Sequence, residues 1–495
     1  MKRLPLYAAL ATFALHLVAN PHYGFFRDEL YFIVCGRHPD WGYVDQPPLV
    51  PLLSAGTQMF GTSLFAIRAL PAIFAAGSVY MACLLALEIG AGSYGVLVTA
   101  LLTAFVPILN AFGTKVSTDT PGLFFWPFAA FCVARIINGG SPRWWLAAGV
   151  ALGICAEAKY TVFFFAAAMI LGIALSPVRR ILVTPWFLAG VVAGSAISLP
   201  SLLWQIAHGW PFVTMLEGQQ AGTAVIYGPL AYVVQQMLIV NPAFAPVLVA
   251  GLVYAFARPR LRWIGWTYVL LIVAMIGLHG HNYYPGDVYP LLAATGALAI
   301  ERTAALQRYR SVIVVAIVAI AFLTFPFVYP VVDEAQLAAT IEGAQRFAHL
   351  EMRSARSDAS PITQNFADMH GWPELAATVA RVYRGLPPAD RARAAIFANN
   401  FGEAGAIDVY GAAYGLPHAI SGHNNYWLWG PRGYDGSVLI EVGGTCSPQF
   451  QRAAIAVART ASRWALPPEI GLPISVCYGL REPVATFWSG VRRFI

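Results

Sequence analysis

SVIVVAIVAIAFLTFPFVYPV, residues 311–331, carries no charged side chain, and the chain changes character where it ends. Coiled at about 1.5 Å per residue, such a run matches the roughly 30 Å hydrocarbon core of a bilayer. Beyond it, Asp333, Glu334, Arg346, Glu351 and Arg353 restore the charge density of a water-soluble segment. Upstream, further apolar windows lie near 4–20, 63–88, 93–112, 121–138, 144–157, 161–176, 182–203, 226–256, 263–279 and 287–300. Together they predict a mostly α membrane protein, a polytopic helical bundle of about eleven transmembrane helices within residues 1–331. The composition agrees: 58% of the 495 residues are hydrophobic and 11% charged, where soluble proteins average roughly 25% charged.

Residues 332–495 are expected to form a small α/β domain. Residues 394–398 and 437–442 have the length and β-branched content of strands, and 333–353 and 371–384 pattern as helices. Cys446 and Cys477, alone in this polar part, can pair if it faces an oxidising compartment. The other cysteines show no metal-binding spacing.

The net charge of +7 raises nucleic acid as a partner, but the bases are dispersed between apolar windows, so no nucleic-acid role is expected. With a cytoplasmic N-terminus, Arg135 to Arg143, Arg179-Arg180, Arg258 to Arg262 and Arg302 to Arg310 all fall on the inside, as positive loops should. The run from Met1-Lys2-Arg3 to Ala19 then reads as an uncleaved first span. Loops 21–62, 113–120, 157–160, 204–225 and 280–286 face out, and so does the C-terminal domain. The expected location is a cell inner (plasma) membrane.

The outward loops hold most of the acids, histidines and tryptophans of the membrane part. The first contains Phe25-Phe26-Arg27-Asp28-Glu29-Leu30-Tyr31 and then Tyr43-Val44-Asp45-Gln46-Pro47-Pro48. Its aromatic, amphipathic pattern predicts helices lying in the interface plane, apolar face down, which would set Asp28 and Glu29 where headgroups meet water. Acids there also serve as ordinary helix-start residues. Lys115 and Asp119 occupy the next loop, where Thr118 can cap a helix with Asp119 and Pro121 in its first turn. Glu157 and Lys159 sit between two apolar windows, a costly place unless paired or facing an aqueous cavity. His208 and Trp210, then His281, Tyr283 and Tyr284, add hydrogen-bonding groups and aromatic planes suited to a sugar or a headgroup.

At these residues the chain resembles the GT-C glycosyltransferases, in the bacterial branch related to dolichyl-phosphate-mannose protein mannosyltransferases and the lipid A aminoarabinose transferase. The Asp-Glu pair, Asp45-Gln46-Pro47-Pro48-Leu49, Thr118-Asp119-Thr120-Pro121 and Tyr283-Tyr284-Pro285 occur in the family's order. The resemblance implies inverting transfer of a sugar from a polyprenyl-phosphate carrier to an acceptor hydroxyl on a lipid, polysaccharide or protein, at the extracytoplasmic side. It makes Asp28 the catalytic carboxylate with Glu29 beside it. Arg27, Asp45, Lys159, His281, Tyr283 and Tyr284 would bind donor phosphate and sugar, and Lys115, Asp119, His208 and Trp210 would support them. Two positions depart from the pattern: Asp45-Gln46 stands where relatives have Glu-Lys, and His281 where several have Lys. Some relatives hold a divalent metal between the corresponding acid and a loop histidine, a role open to Asp45 with His281 or His208. The alternative is a transporter or flippase of lipid-linked saccharides, but that chemistry favours ionisable residues near the bilayer midplane, whereas these acids cluster at one surface.

Overall fold

Side-chain caps start the two longest helices. Ser63 Oγ accepts the Ala66 N–H at 3.2 Å ahead of Leu64–Glu88, and Thr184 Oγ1 accepts the Phe187 N–H at 3.2 Å ahead of Pro185–Ala207. The computed structural model describes residues 3–222, 227–348 and 360–495. Among the described residues, Leu64–Glu88, Pro185–Ala207 and Arg310–Val328 are long and apolar enough to cross a bilayer, and the bent pair Ser93–Phe105 with Pro107–Gly113 makes a fourth candidate. Shorter apolar helices, among them Leu4–Ala19, Gly122–Ile137, Trp144–Ala156, Thr161–Ala174 and Arg262–Gly277, occupy most of the remaining windows.

Proline accounts for two departures from the expected spans. The 93–112 window bends by 62° at Val106, because Pro107 donates no hydrogen bond and pushes its predecessor into extended backbone. The 226–256 window is two helices, Pro229–Ile239 and Ala245–Ala257, parted at Asn241-Pro242 with Asn241 at φ +76°. Residue 226 of that window lies outside the described residues, as do residues 223–225 of the 204–225 loop and 349–353 of the predicted 333–353 helix.

Close helix packing comes from small residues. A Cβ on Gly149 would lie 2.0 Å from the Gly190 carbonyl oxygen, and one on Gly153 would lie 2.6 Å from that of Gly194. The Trp144–Ala156 and Pro185–Ala207 helices therefore touch backbone to backbone through paired Gly-x-x-x-Gly spacings.

The C-terminal part contains a five-stranded sheet: β1 (Ala394–Ala398), β2 (Ala419–Ile420), β3 (Val438–Val442), β4 (Phe450–Arg459) and β5 (Pro473–Leu480), in the order β2-β1-β3-β5-β4. β1 runs parallel to β2 and β3, and β5 is antiparallel to β3 and β4. Helices Glu334–Ala348 and Trp372–Gly385 match the predicted ones. Cys446 and Cys477 form a disulfide.

The first loop behaves differently from expectation. Its Arg27–Arg37 helix presents no apolar face to lipid, because Leu30, Tyr31, Phe32, Ile33, Val34 and Cys35 are all at most 4% exposed. Six consecutive apolar residues clothe every side of a helix, and here protein covers them all. The helix is buried against Leu49–Gln58 and Phe401–Tyr410, where a Cβ on Gly405 would sit 3.0 Å from Leu30 Cβ. One hydrophobic cluster joins Phe25, Leu30, Tyr43 and Ile67 to Trp372, Ile396, Ile440 and Val476, so the first loop and the sheet share a core.

Candidate active site

The Arg27–Arg37 helix opens with two acids in opposite circumstances. Glu29 is fully buried and accepts Arg68 Nη2 at 2.7 Å, Arg68 Nε at 3.0 Å, and the backbone N–H groups of Phe26 at 2.8 Å and Val116 at 3.0 Å. The rest of the guanidinium goes to the carbonyls of Asn20, His22 and Gly24. This ion pair bolts the chain after the first helix, the Leu64–Glu88 helix and the 114–120 loop to one point. Its oxygens are held by these donors and it is sealed from solvent, so of the expected catalytic pair Asp28 and Glu29 only Asp28 is left open to a substrate. Asp28 is 33% exposed, and its carboxylate lies 3.5 Å from Arg27 Nε. Helix phase separates the two: one residue of rotation carries Asp28 from the packed face to the open one.

Asp45 approaches from the next turn of the loop. Tyr31 donates its hydroxyl to Asp45 Oδ1 at 2.9 Å while accepting the Asn425 N–H at 3.3 Å, and Asn425 Oδ1 accepts the Val44 N–H at 2.7 Å. Burial raises the Asp45 carboxyl to about 7; the Tyr31 hydrogen bond opposes this and the neighbouring Asp28 charge adds to it. Arg27 lies over the Phe401 ring at 5.3 Å and 4.0 Å from Asp368. Lys115 is buried over the Phe26 ring, 4.5 Å from its centroid, with Asn365 Oδ1 and the Ala111 carbonyl as acceptors. Burial lowers its ammonium to about 8, although Glu29, Asp28 and Asp368 pull the other way.

Lys159 centres a second cluster. It donates to both Asp119 oxygens, at 2.6 and 2.7 Å, and stands 4.4 Å from the Tyr284 ring centroid and 5.3 Å from that of Tyr283. His281 stacks on Tyr283 at 5.3 Å. The ion pair explains how Lys159 is tolerated between apolar windows, and its neighbour Glu157 accepts the Ser201 hydroxyl at 2.9 Å. It also places Asp119 opposite Lys159 instead of in a capping role, since the Gly122–Ile137 helix starts at Pro121 without a side-chain cap. Thr120, not Thr118, ties the loop, donating to the Phe112 carbonyl at 2.9 Å.

Asp287 belongs to this cluster although the sequence reading did not single it out. It is 3% exposed, its Oδ1 has no hydrogen-bond partner among the described residues, and a Cβ on Gly122 would fall 1.9 Å from its Oδ2. An acid opening an apolar window was the available signal. Asn365, Asp368 and Phe401 also reach the site from the distant C-terminal part, and nothing in their local sequence marks them.

His208 and Trp210 lie outside both clusters. Exposed His208 bonds the Trp204 carbonyl at 2.8 Å and stacks on the Trp204 ring, while exposed Trp210 is held through its backbone N–H to the Gln205 carbonyl at 2.8 Å. Their helix braces the first loop, with Gln205 Nε2 donating to the Tyr43 carbonyl at 2.8 Å. The expected metal pair fares similarly. Among the described residues, the three-ligand grouping of His, Cys, Asp or Glu is Glu441 with the disulfide-bonded Cys446 and Cys477. Asp45 engages Tyr31 and His281 stacks on Tyr283, and neither belongs to that grouping.

Residues 45–204, which include Asp45, Lys115, Asp119 and Lys159, match the family model of dolichyl-phosphate-mannose-protein mannosyltransferase. No curated protein sequence matches significantly. Two solved structures share the fold, both of ArnT from Cupriavidus metallidurans. The crystal structure bound to undecaprenyl phosphate has a TM-score of 0.61 at 12% identity, covering 96% of this chain and 97% of that one. The apo structure has a TM-score of 0.58 at 13% identity, covering 97% of each. The segment that carries Asp45 and Lys159 is thus similar to the dolichyl-phosphate-mannose-protein mannosyltransferases, and nearly the whole chain shares the fold of ArnT.

Proposed function

We propose that this glycosyltransferase moves a sugar from a polyprenyl-phosphate carrier to an acceptor hydroxyl, with inversion, on the extracytoplasmic side of the plasma membrane. The observation that carries the reading is the exposure of Asp28 at 33% beside a Glu29 that is fully sealed. Asp28 takes the acceptor proton as the hydroxyl oxygen attacks the anomeric carbon. The bond to the phosphate oxygen breaks on the opposite face, and the lipid phosphate leaves with its charge met by Lys159 and Arg27, aided by Tyr283, Tyr284 and His281. The ArnT structure bound to undecaprenyl phosphate supports a carrier of this class. Residues 1–331 would form the transferase domain and 332–495 the extracytoplasmic one, with Asn365, Asp368, Phe401 and Asn425 walling the site.

The test is to incubate purified protein with a panel of prenyl-phosphate sugars and candidate acceptors. Free prenyl phosphate and a glycosylated acceptor are expected. Intact donor carried across a vesicle membrane, with no prenyl phosphate released, would favour the flippase reading instead.

Asp45 supplies a pH dependence. Its folded pKa of about 7 lies above the ordinary 3.8, so the folded protein holds this proton between those values, and the stability it contributes is lost as pH rises through 7. Above pH 7 a new negative charge faces the phosphate site. The KM for donor should therefore climb above pH 7 in the wild type and stay flat in Asp45→Asn; the same inflection in both would assign it elsewhere.

A further inference from the structure

The helices that start at the candidate active site end around another cavity. Gly122–Ile137 leaves the Asp119 loop and, about 24 Å along at 1.5 Å per residue, delivers Ile137 and Asn138 to a cavity of about 320 Å³. Tyr289–Arg302, which starts beside Asp287, brings Leu298 to the same place, and the Arg258–Trp263 turn closes it.

The polar lining is biased toward donors. Trp263 is fully buried, lines the cavity, and its indole N–H has no hydrogen-bond partner among the described residues. Arg258 and Arg260 stand exposed on the rim, Arg258 over the Tyr254 ring at 5.0 Å, and among the described residues neither is in an ion pair. The one acid of the lining, Glu88, is already neutralised by Arg135 at 3.1 Å and takes Asn138 Nδ2 at 3.0 Å. Ile137, Leu261 and Leu298 supply apolar walls. Two arginines on the rim that are in no ion pair among the described residues call for an anionic oxygen.

We infer that this cavity is a binding site for the phosphate headgroup of an anionic phospholipid, seated at the end of the bundle opposite the transfer site. The phosphate oxygens accept from the Arg258 and Arg260 guanidinium groups, and the first acyl carbons run along the apolar walls. A lipid fits better than a soluble phosphate ester because donors and hydrocarbon wall share one cavity at a helix end, where headgroup meets chain.

The experiment is native mass spectrometry of the full chain in detergent, titrated with phosphatidylglycerol, phosphatidylcholine or inorganic phosphate. Wild type should bind one phosphatidylglycerol at least several-fold more tightly than phosphatidylcholine. R258Q/R260Q should lose about 10-fold in that affinity, at the scale expected for basic residues meeting anionic lipid. R179Q/R180Q, equally basic and remote from the cavity, should lose nothing. Equal losses in the two arginine double variants, or no preference for the anionic lipid, would overturn the site; competition by inorganic phosphate at millimolar concentration would overturn the lipid assignment in favour of a soluble phosphate.

Discussion

Asp28→Asn should lower kcat for sugar transfer by about 10²–10⁴-fold, the usual worth of a positioned general base, with the KM for donor nearly unchanged. The amide keeps the carboxylate's shape, so the helix start and the packing of Leu30 and Tyr31 beneath it persist, and only the proton acceptor is lost. Arg27 touches Asp28 at 3.5 Å and also reaches toward Asp368, so the cation keeps a partner in the variant. Single-turnover kinetics on protein inserted in vesicles separates this loss from one of binding. Retention of wild-type kcat would remove Asp28 from the reaction and with it the proposed mechanism.

Glu29→Ala should destabilise the protein by about 3–5 kcal/mol, because deleting one partner of a buried ion pair strands the other without compensation. Arg68 would keep the carbonyls of Asn20, His22 and Gly24 but lose the one charge partner it has among the described residues, and the Phe26 and Val116 N–H groups would lose their acceptor. Replacing both members, Glu29→Leu with Arg68→Met, should recover part of that loss, since burying two apolar side chains avoids the stranded charge. Denaturant unfolding in detergent measures the stabilities, and kcat measured well below the unfolding midpoint assigns the role. A structural Glu29 leaves kcat within a few-fold of wild type, whereas a drop matching that of Asp28→Asn in folded protein would return it to the chemistry.

The two acids mark where sequence reading stops. Adjacent carboxylates after an apolar window point to a site, but which of them faces solvent depends on the helix phase and on what covers it. Arg68 lies far along the chain inside an apolar window, so its pairing with Glu29 had no local sign. Lys159 was legible for a different reason: an ion so placed must be paired or face an aqueous cavity, although nothing in the sequence named Asp119 as its partner. The 62° bend was implicit in Pro107, and the glycine contact between two helices in Gly149, Gly153, Gly190 and Gly194, although the amount of bending and the choice of helix partner were not.

Composition and hydropathy alone were enough to predict a mostly helical, apolar bundle followed by a polar α/β segment, because burying apolar residues and satisfying backbone hydrogen bonds within helices are local demands. The strands at 394–398 and 438–442 were readable for the same reason, being short runs with a fixed side-chain period. Tertiary structure alone decided that the first loop is roofed by the C-terminal part, that Asn425 holds the Tyr31–Asp45 corner, and that Asp28 is left open. Those outcomes depend on contacts between residues hundreds of positions apart, whose energies come from desolvation and hydrogen bonding that only the packed chain creates.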